Sequence, residues 1–269
     1  MASRSALINV MIRAADRAAR GLKRDFGEVE SLQVSRKGPA DFVSAADLHA
    51  ERVLREELSR ARPGYGFLME ESGSSSGGDP HGRRWIVDPL DGTSNFLHGL
   101  PHFAISIALE EGRELLAGVI YDPVKNELFY AEKGSGAYLN DRRLRVSART
   151  RLEDTLIATG APFKGHGDSP RFLAEMDAVL GATGGVRRWG AAALDLAYVA
   201  AGRYDGFWER YLSPWDTAAG IVLVREAGGY VSEIEGDPIR LDSRSILAAN
   251  DSLHAALIEL LRAAQGPAA

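Results

Sequence analysis

Apolar and polar positions alternate along this chain with two periods, one typical of α-helices and one typical of β-strands. From Ala6 to Leu22 the apolar residues recur at helical spacing, which predicts a first helix within residues 5–26. A second helix is predicted at residues 45–61. In the middle of the chain, β-rich runs separated by turn residues predict an antiparallel sheet. Its strands are expected at residues 103–110, 115–121, 127–131 and 137–139.

The second half of the chain alternates strand-like and helix-like segments. The strands are predicted at residues 156–159, 186–189, 204–209, 230–234 and 246–249, and the helices at residues 170–180, 191–201, 214–227 and 251–264. Two short strands, at residues 66–69 and 84–87, precede the middle sheet, and the Gly- and Ser-rich residues 72–82 predict a flexible loop. This succession predicts packed layers, with a mixed sheet in the first half and an α/β unit in the second.

The composition bounds the class of protein. The chain has 269 residues, of which 45% are hydrophobic, so it is long enough to bury a sizeable core. No apolar run reaches about 18 residues, and the N-terminal stretch has no apolar signal core, which favours a soluble protein. The absence of cysteine excludes disulfides and cysteine nucleophiles and fits a reducing cytoplasm. The net charge of −5 argues against a nucleic-acid-binding protein.

The most informative segment is an apolar strand that ends at two acids, Asp88 and Asp91. Pro89, between them, is expected to prevent further pairing of the strand. Asp91 is then expected to cap a helix opened by Gly92 and Thr93, whose free N–H groups can hold a phosphate oxygen. Two carboxylates beside a phosphate repel it unless a divalent cation lies between them. The alternative is a tight turn with an ordinary Asp cap.

The same segment excludes several kinds of active site. Haloacid-dehalogenase phosphatases need two acids two residues apart, and here the spacing is three. The segment also lacks the lysine of a Walker motif and the Gly-x-Ser-x-Gly elbow of a serine hydrolase. A metal-activated water is the nucleophile that remains.

Other acidic residues lie at the ends of predicted elements and can join this site. Glu70 and Glu71 follow the strand at residues 66–69, although acidic pairs of this kind are also common on surfaces. Asp47 and Asp216 each lie three residues after a serine, which indicates capping boxes at the starts of two helices. A capping carboxylate lies at the mouth of a helix, where a ligand or a metal can also reach it.

Three sequence blocks resemble the inositol monophosphatase family, part of the lithium-sensitive, Mg²⁺-dependent phosphatase superfamily that includes the fructose-1,6-bisphosphatases. The first block reads Met-Glu-Glu-Ser, with Met69 in place of a commoner glycine, and the second reads Asp-Pro-Leu-Asp-Gly-Thr-Ser-Asn-Phe. The blocks lie at residues 69–72, at 88–96 with 101 and 106–108 downstream, and at 215–220 with 226–229. Their order and spacing hold over nearly the whole chain.

The resemblance implies a fold and a cofactor. The fold is an α/β layered sandwich in the order αβαβα, as a single phosphatase domain over residues 1–269. A metal-binding half is expected at residues 5–150, and an α/β half that closes the active-site cleft at residues 151–264. The cofactor implied is Mg²⁺, as two or three ions, and a homodimer is the implied assembly.

The resemblance also implies roles for individual residues. The ligands of the ion that activates water are Glu70, Asp88 and the Leu90 carbonyl, and those of the ion that stabilises the leaving alkoxide are Asp88, Asp91 and Asp216. Thr93, paired with Asp47, is expected to orient the attacking water, with Glu70 as the third catalytic residue. The expected substrate contacts are the Gly92 and Thr93 amides for phosphate, and Gly190, Ala192 and Glu209 for the alcohol. Lys37 and Asp41 are expected to border a third, weaker ion.

The leading substrate is inositol 1-phosphate. Glu209 favours a polyol, because a carboxylate accepts hydrogen bonds from hydroxyls but repels a second phosphate. Fructose 1,6-bisphosphate, histidinol phosphate and 3′-phosphoadenosine 5′-phosphate are alternatives within the same chemistry. The alternative of another class is a regulatory protein that binds RNA or a transcription factor. The arginines within residues 142–151 are nevertheless expected to form a solvated hairpin face, and His98 and His102 are expected to pack rather than bind metal.

Overall fold

The computed structural model describes residues 4–28, 34–38, 41–163 and 167–264, and within residues 34–43 it describes the backbone alone. The helices of this part are α1 (Ala6–Phe26), α2 (Ala45–Ala61), α3 (Thr93–Leu97), α4 (Ser169–Ala182), α5 (Ala192–Ala200), α6 (Pro214–Glu226) and α7 (Asp251–Ala263). The strands of the first half are β1 (Val34–Gly38), β2 (Asp41–Ser44), β3 (Gly66–Met69), β4 (Gly73–Ser75), β5 (Arg83–Asp91), β6 (Ala104–Glu111), β7 (Glu114–Asp122), β8 (Glu127–Glu132), β9 (Gly136–Leu139) and β10 (Arg142–Arg143). The strands of the second half are β11 (Leu156–Thr159), β12 (Gly185–Arg187), β13 (Gly206–Arg210), β14 (Tyr230–Ser232) and β15 (Ser245–Ala249).

These elements stack as five alternating layers. Helices α1 and α2 pack on the outer face of an eight-stranded sheet with the order β10-β9-β8-β7-β6-β5-β3-β4. Helices α5 and α6 fill the space between this sheet and a five-stranded sheet with the order β12-β11-β13-β15-β14. Helices α4 and α7 cover the outer face of the second sheet. The predicted αβαβα sandwich is therefore confirmed.

The outer helix α1 follows directly from its sequence pattern. The Ser5 hydroxyl caps the helix by accepting a hydrogen bond from the Ile8 N–H at 3.1 Å. Lys23 and Arg24 lie in its last turn, where their positive charges interact favourably with the negative end of the helix dipole. Its apolar residues are buried on one face, so the helical spacing in the sequence marks the side that packs on the sheet.

The middle layer is built from small residues, which allow the helices to approach both sheets closely. Every residue of α5 is buried. Where α6 crosses the first sheet, a β-carbon placed on Gly118 of β7 would lie 2.6 Å from the Ala219 carbonyl oxygen. Glycine at this position therefore sets the distance between the helix and the sheet.

The prediction that Pro89 ends the pairing of its strand is wrong. Strand β5 pairs with β6 as far as Asp88, the register then shifts, and Asp91 pairs again with Ala104. A bulge of this kind accommodates a residue without an N–H, so the strand resumes beyond the proline. Asp88 and Asp91 therefore both lie in the last part of one strand.

The prediction of a flexible loop at residues 72–82 is wrong for its first part. Strand β4 pairs antiparallel with β3, with Ser75 opposite Phe67, and forms the edge of the sheet. The sequence analysis also missed the β1–β2 hairpin and the short strand β10. Helix α2 and strands β3 and β11 have the predicted bounds, and the other predicted ends differ by a few residues.

No helix in the described part of the chain is long and apolar enough to span a membrane. The eight-stranded sheet is complete by Arg143, and the five-stranded sheet begins at Leu156. The division into halves at residue 150 falls between these points and stays a prediction.

Candidate active site

Four carboxylates from three elements meet beside one end of β5. Asp88 and Asp91 lie in the last part of β5 itself. Glu70 follows β3, the parallel neighbour of β5, and its N–H donates to the Val87 carbonyl at 3.2 Å. Asp216 lies in the first turn of α6. The negative charges of Glu70, Asp91 and Asp216 all raise the pKa of Asp88, so the four groups share one electrostatic environment.

The acids on β5 are held by backbone N–H groups. Asp88 Oδ1 accepts a hydrogen bond from the Leu90 N–H at 2.9 Å, and Asp91 Oδ2 accepts one from the Ala193 N–H at 2.8 Å. The second bond links β5 to the first turn of α5. Burial is nevertheless the largest cause that raises the pKa of Asp88 and of Asp91 well above the ordinary aspartate value, followed by the neighbouring carboxylates.

Asp216 also makes the predicted capping box. Its Oδ2 accepts a hydrogen bond from the Ser213 N–H at 2.7 Å, with Pro214 at the first helical position. Its charge still acts on the cluster, because after burial it is the largest cause that raises the pKa of Asp91. Capping and a place in the acidic cluster are thus combined in one side chain rather than being exclusive.

The donor chemistry of this cluster fits a hard divalent cation. Carboxylate and carbonyl oxygens are the ligands that Mg²⁺ takes in proteins, and buried like charges are relieved by a cation among them. Among the described residues, however, no three His, Asp or Glu side chains are arranged to hold one ion as they stand.

Asp47 and Thr93 form a hydrogen-bonded pair next to the acids. Thr93 Oγ1 lies 3.0 Å from Asp47 Oδ1 and 3.0 Å from the Leu90 carbonyl oxygen. The other carboxylate oxygen of Asp47 caps α2, accepting from the Ser44 N–H at 2.9 Å and from the Ser44 hydroxyl. Burial raises the pKa of Asp47, against the lowering effect of these bonds. The capping box and the Thr93 contact use opposite oxygens of one carboxylate.

The expected cap of α3 is wrong in its residue. Gly92, not Asp91, occupies the N-cap position, with φ of 89°, a left-handed conformation that favours glycine. A β-carbon there would lie 3.1 Å from the His102 carbonyl and 3.4 Å from the Gly190 carbonyl. Gly92 and Gly190, which are far apart in the sequence, are therefore neighbours at the site.

A cavity of about 390 Å³ opens beside the carboxylates and is lined by Glu70, Asp216 and Glu209. The same cavity is also lined by apolar and aromatic residues, among them Phe163, Phe172, Tyr211, Leu212 and Trp215. Burial, and then the charges of Asp216 and Asp91, raises the pKa of Glu209 to about 8. Ala192, the first residue of α5, lies beside Asp91, since its backbone N–H helps to lower the pKa of that acid.

The sequence analysis missed one acidic residue of this region. Asp195, in the first turn of α5, is buried, and neither of its carboxylate oxygens has a hydrogen-bond partner among the described residues. Burial, and then Glu209 and Asp91, raises its pKa well above the usual aspartate value. In the sequence it sits within an apolar helical run, and nothing in that pattern distinguishes it from a surface acid.

The residues that were not expected to bind metal have other roles in the fold. His102 is buried and packs against the rings of Trp189 and Tyr198, and His98 Nδ1 lies 2.7 Å from the Ser94 carbonyl. His102 packs in the core as predicted, whereas His98 is exposed and bonds to the backbone of α3. The arginines of the β9–β10 hairpin are exposed, as expected for a solvated face. The side chains of Lys37 and Asp41 lie outside the described part of the chain.

Residues 3–265 match the model of the inositol monophosphatase family. The chain is 57% identical over 260 residues to an inositol-1-monophosphatase of Mesorhizobium japonicum, covering 97% of each chain. It is 43% identical over 259 residues to the Nus factor SuhB of Pseudomonas aeruginosa, covering 95% of this chain and 96% of that protein. The crystal structure of the extragenic suppressor protein suhB from Bartonella henselae superposes with a TM-score of 0.93, at 56% identity, covering 96% of this chain and 99% of that chain.

The carboxylates, the cavity and the αβαβα fold thus occur in a chain whose full-length relatives include named phosphatases. The chain belongs to the inositol monophosphatase family, whose members are phosphoric monoester hydrolases that generally depend on a metal ion.

Proposed function

We propose that this protein is a Mg²⁺-dependent phosphatase that hydrolyses myo-inositol 1-phosphate to inositol and phosphate. The observation that carries the proposal is the gathering of Glu70, Asp88, Asp91 and Asp216 beside a cavity that also holds Glu209. An acidic cluster attracts a phosphate ester only when cations neutralise it, and the hydroxyls of a polyol match the carboxylate of Glu209.

The proposed ligands are those that the resemblance to the inositol monophosphatase family implies. Glu70, Asp88 and the Leu90 carbonyl would hold one Mg²⁺, and Asp88, Asp91 and Asp216 would hold a second. Bound Mg²⁺ supplies charge neutralisation and lowers the pKa of a bound water. Asp88 belongs to both sets, which agrees with its position among the other three charges.

Asp47 and Thr93 are proposed to orient the attacking water and take its proton. The Thr93 hydroxyl has one hydrogen, and donating it to Asp47 Oδ1 leaves its oxygen lone pairs to accept from water. Asp47 is fixed for this task because Ser44 binds its other oxygen. Its raised pKa makes it a better proton acceptor than an exposed aspartate.

The ester itself is proposed to lie between the glycine turn and Glu209. The Gly92 and Thr93 amides would bind phosphate oxygens, since no side chain at Gly92 obstructs the approach. Gly190 and Ala192 would contact the alcohol through their backbones. Glu209 would accept hydrogen bonds from its hydroxyls, and its pKa falls from about 8 once cations neutralise Asp216 and Asp91.

The test is phosphate release by the purified protein, with Mg²⁺ and with EDTA, on four esters. These are inositol 1-phosphate, fructose 1,6-bisphosphate, histidinol phosphate and 3′-phosphoadenosine 5′-phosphate. We expect Mg²⁺-dependent turnover with the highest kcat/KM on inositol 1-phosphate. Preference for another ester would replace the substrate and keep the mechanism, whereas turnover undiminished by EDTA would contradict the metal assignment.

A regulatory role is the second candidate, because relatives of this chain are named Nus factor SuhB. It predicts that an Asp88→Asn variant without phosphatase activity still supports transcription in cells that lack the native chain. If the variant loses both transcription support and phosphatase activity, the separate regulatory role is contradicted and the enzymatic function remains. The homodimer is likewise proposed, and light scattering of the purified protein measures it.

A further inference from the structure

Glu209 lies beside a glycine of the neighbouring strand. Strands β11 and β13 are parallel, and their register sets Thr159 beside Trp208. The next residues along the chain are Gly160, which directly follows β11, and Glu209 of β13, so these two positions are expected to be adjacent and to face the same side. Both line the cavity next to the acidic cluster.

Gly160 makes the space that the Glu209 carboxyl group occupies. A β-carbon built on Gly160 would overlap the Cδ, Oε1 and Oε2 atoms of Glu209. Gly160 is buried, and its φ is not in the left-handed region that favours glycine. An alanine could therefore adopt the same backbone, and the three atoms nearest to its added β-carbon all belong to the Glu209 carboxyl group.

The backbone on both sides of Glu209 is fixed by other contacts. The Thr159 hydroxyl donates to the Trp208 carbonyl at 2.7 Å, which ties the two strands together just before the pair. On the other side, Arg210 donates to Glu175 at 2.8 Å and also pairs with Glu235 at 2.9 Å. These contacts hold β13 in place, so a methyl group at residue 160 is expected to move the Glu209 side chain rather than the strand.

We propose that Gly160 is a positioning residue that determines specificity, because it lets the Glu209 carboxylate lie where it accepts the hydroxyls of the substrate alcohol. This inference rests on the proposed function and deepens it. It adds a second requirement to a polyol site of this kind: the acid acts only when the facing residue of the adjacent strand has no side chain.

The experiment is the Gly160→Ala variant, assayed with Mg²⁺ on inositol 1-phosphate and on p-nitrophenyl phosphate, an ester without ring hydroxyls. Displacing an ionic hydrogen-bond acceptor predicts a rise of about 10- to 100-fold in KM for inositol 1-phosphate. Its kcat should change by less than about threefold, because the cations and the water remain in place. The ratio of kcat/KM for the polyol ester to that for the aryl ester should fall with the rise in KM.

A double-mutant cycle isolates the contact. Glu209→Ala alone should lower the same ratio, and adding Gly160→Ala to it should change the ratio by less than about twofold, because no carboxyl group is left to displace. The matched control is Gly181→Ala on α4, where an added β-carbon has no neighbour within 4 Å in the part of the chain that the structure describes. We expect the control to keep the parent ratio.

Distinct results would overturn the proposal. They are an unchanged ratio in Gly160→Ala, equal losses on both esters, or additive effects in the cycle. If Gly160→Ala does not fold, the double variant decides: its recovery of the folded circular dichroism spectrum supports the contact, and its failure to fold overturns it. A parent enzyme that does not prefer the polyol ester overturns the proposed function and this inference together.

Discussion

At the residue scale, Asp91 links the acidic cluster to the fold through the Ala193 N–H. In the variant Asp91→Asn, the amide oxygen can keep that bond while the negative charge is lost. We expect phosphatase activity to fall by at least about 100-fold, because a proposed metal ligand is removed. The Tm of the protein in EDTA should rise by about 2–4 °C, because one of several repelling buried charges is gone.

Activity and differential scanning calorimetry of the same preparation measure both effects. Asp251→Asn, at the exposed start of α7, is the control for an aspartate outside the cluster. Full activity in Asp91→Asn would remove Asp91 from the proposed ligands, and a lower Tm in EDTA would contradict the charge argument.

His102 predicts a pH dependence of stability. Burial, and then the neighbouring Lys125, lowers its pKa from 6.5 to about 4, and Lys125 is itself paired with Asp122. Between these values the unfolded chain binds a proton that the folded chain does not. The stability contributed by neutral His102 is thus complete above about pH 6.5 and is lost as the pH falls towards 4.

The variant His102→Phe removes this titration and keeps a ring between Trp189 and Tyr198. As the pH falls from 7.5 to 4.5, the free energy of unfolding of the variant should rise relative to that of the parent by about 2–3 kcal/mol, because only the parent loses the contribution of neutral His102. Urea unfolding across this range measures the difference, in which the acids common to both proteins cancel. Parallel curves for the two proteins would show that His102 does not titrate in this window.

The sequence predicted the acids of the site better than their surroundings. Acids at strand ends and helix starts can be recognised from the local sequence pattern, and this made Asp88, Asp91 and Asp216 predictable. The contact between Gly160 and Glu209 is not visible, since it depends on the register of two strands about 50 residues apart. Asp195 is hidden for the same reason: only the packing of α5 decides that its carboxyl group is buried.

At the element scale, the contact between α6 and β7 predicts a sensitive position. A methyl group on Gly118 would meet the backbone of Ala219, with its oxygen at 2.6 Å and its Cα at 2.9 Å. Neither backbone can rotate away as a side chain can, so Gly118→Ala should destabilise the fold by about 2–3 kcal/mol. Since α6 carries Asp216, the Mg²⁺ concentration for half-maximal activity should rise as well.

Urea unfolding and a Mg²⁺ titration of activity test this prediction. Gly181→Ala is again the control, because its β-carbon would contact no atom of the described residues within 4 Å. Since alanine favours a helix over glycine, this variant should raise the free energy of unfolding by about 0.5–1 kcal/mol. A Gly118→Ala variant as stable as the parent would mean that the helix can move away from the sheet.

Elements were predictable where the signal is local and failed where pairing decides. The serine cap and the apolar spacing set α2 correctly at both ends. The prediction for Pro89 was wrong because it considered only the N–H group that proline lacks. A bulge against β6 restores the pairing beyond the proline. Strand β4 was missed because its Gly-Ser sequence has little intrinsic β preference and forms a strand only at the edge beside β3.

At the scale of the whole molecule, the acidic cluster joins layers that are far apart in the chain. Its members come from the first sheet and from a middle-layer helix, so a bound cation should stabilise the entire sandwich. We expect Mg²⁺ to raise the Tm of the protein relative to EDTA. At 100 times the dissociation constant, the gain is about 2.7 kcal/mol.

Thermal unfolding at a series of Mg²⁺ concentrations measures this linkage. The rise should grow with the logarithm of the concentration in the parent and be smaller in Asp91→Asn. An equal rise in both proteins would indicate that the cation binds elsewhere.

The middle layer has a further consequence for how this protein can change. Helix α5 is buried on every side, whereas α1 has one exposed face. When all single substitutions are scored for retained folding, α1 should accept polar replacements at about every second or third position, and α5 at almost none. Among the helices, tolerated substitutions are therefore expected mainly in the outer layers. The sequence of the buried middle-layer helices beside the acidic cluster is expected to change little.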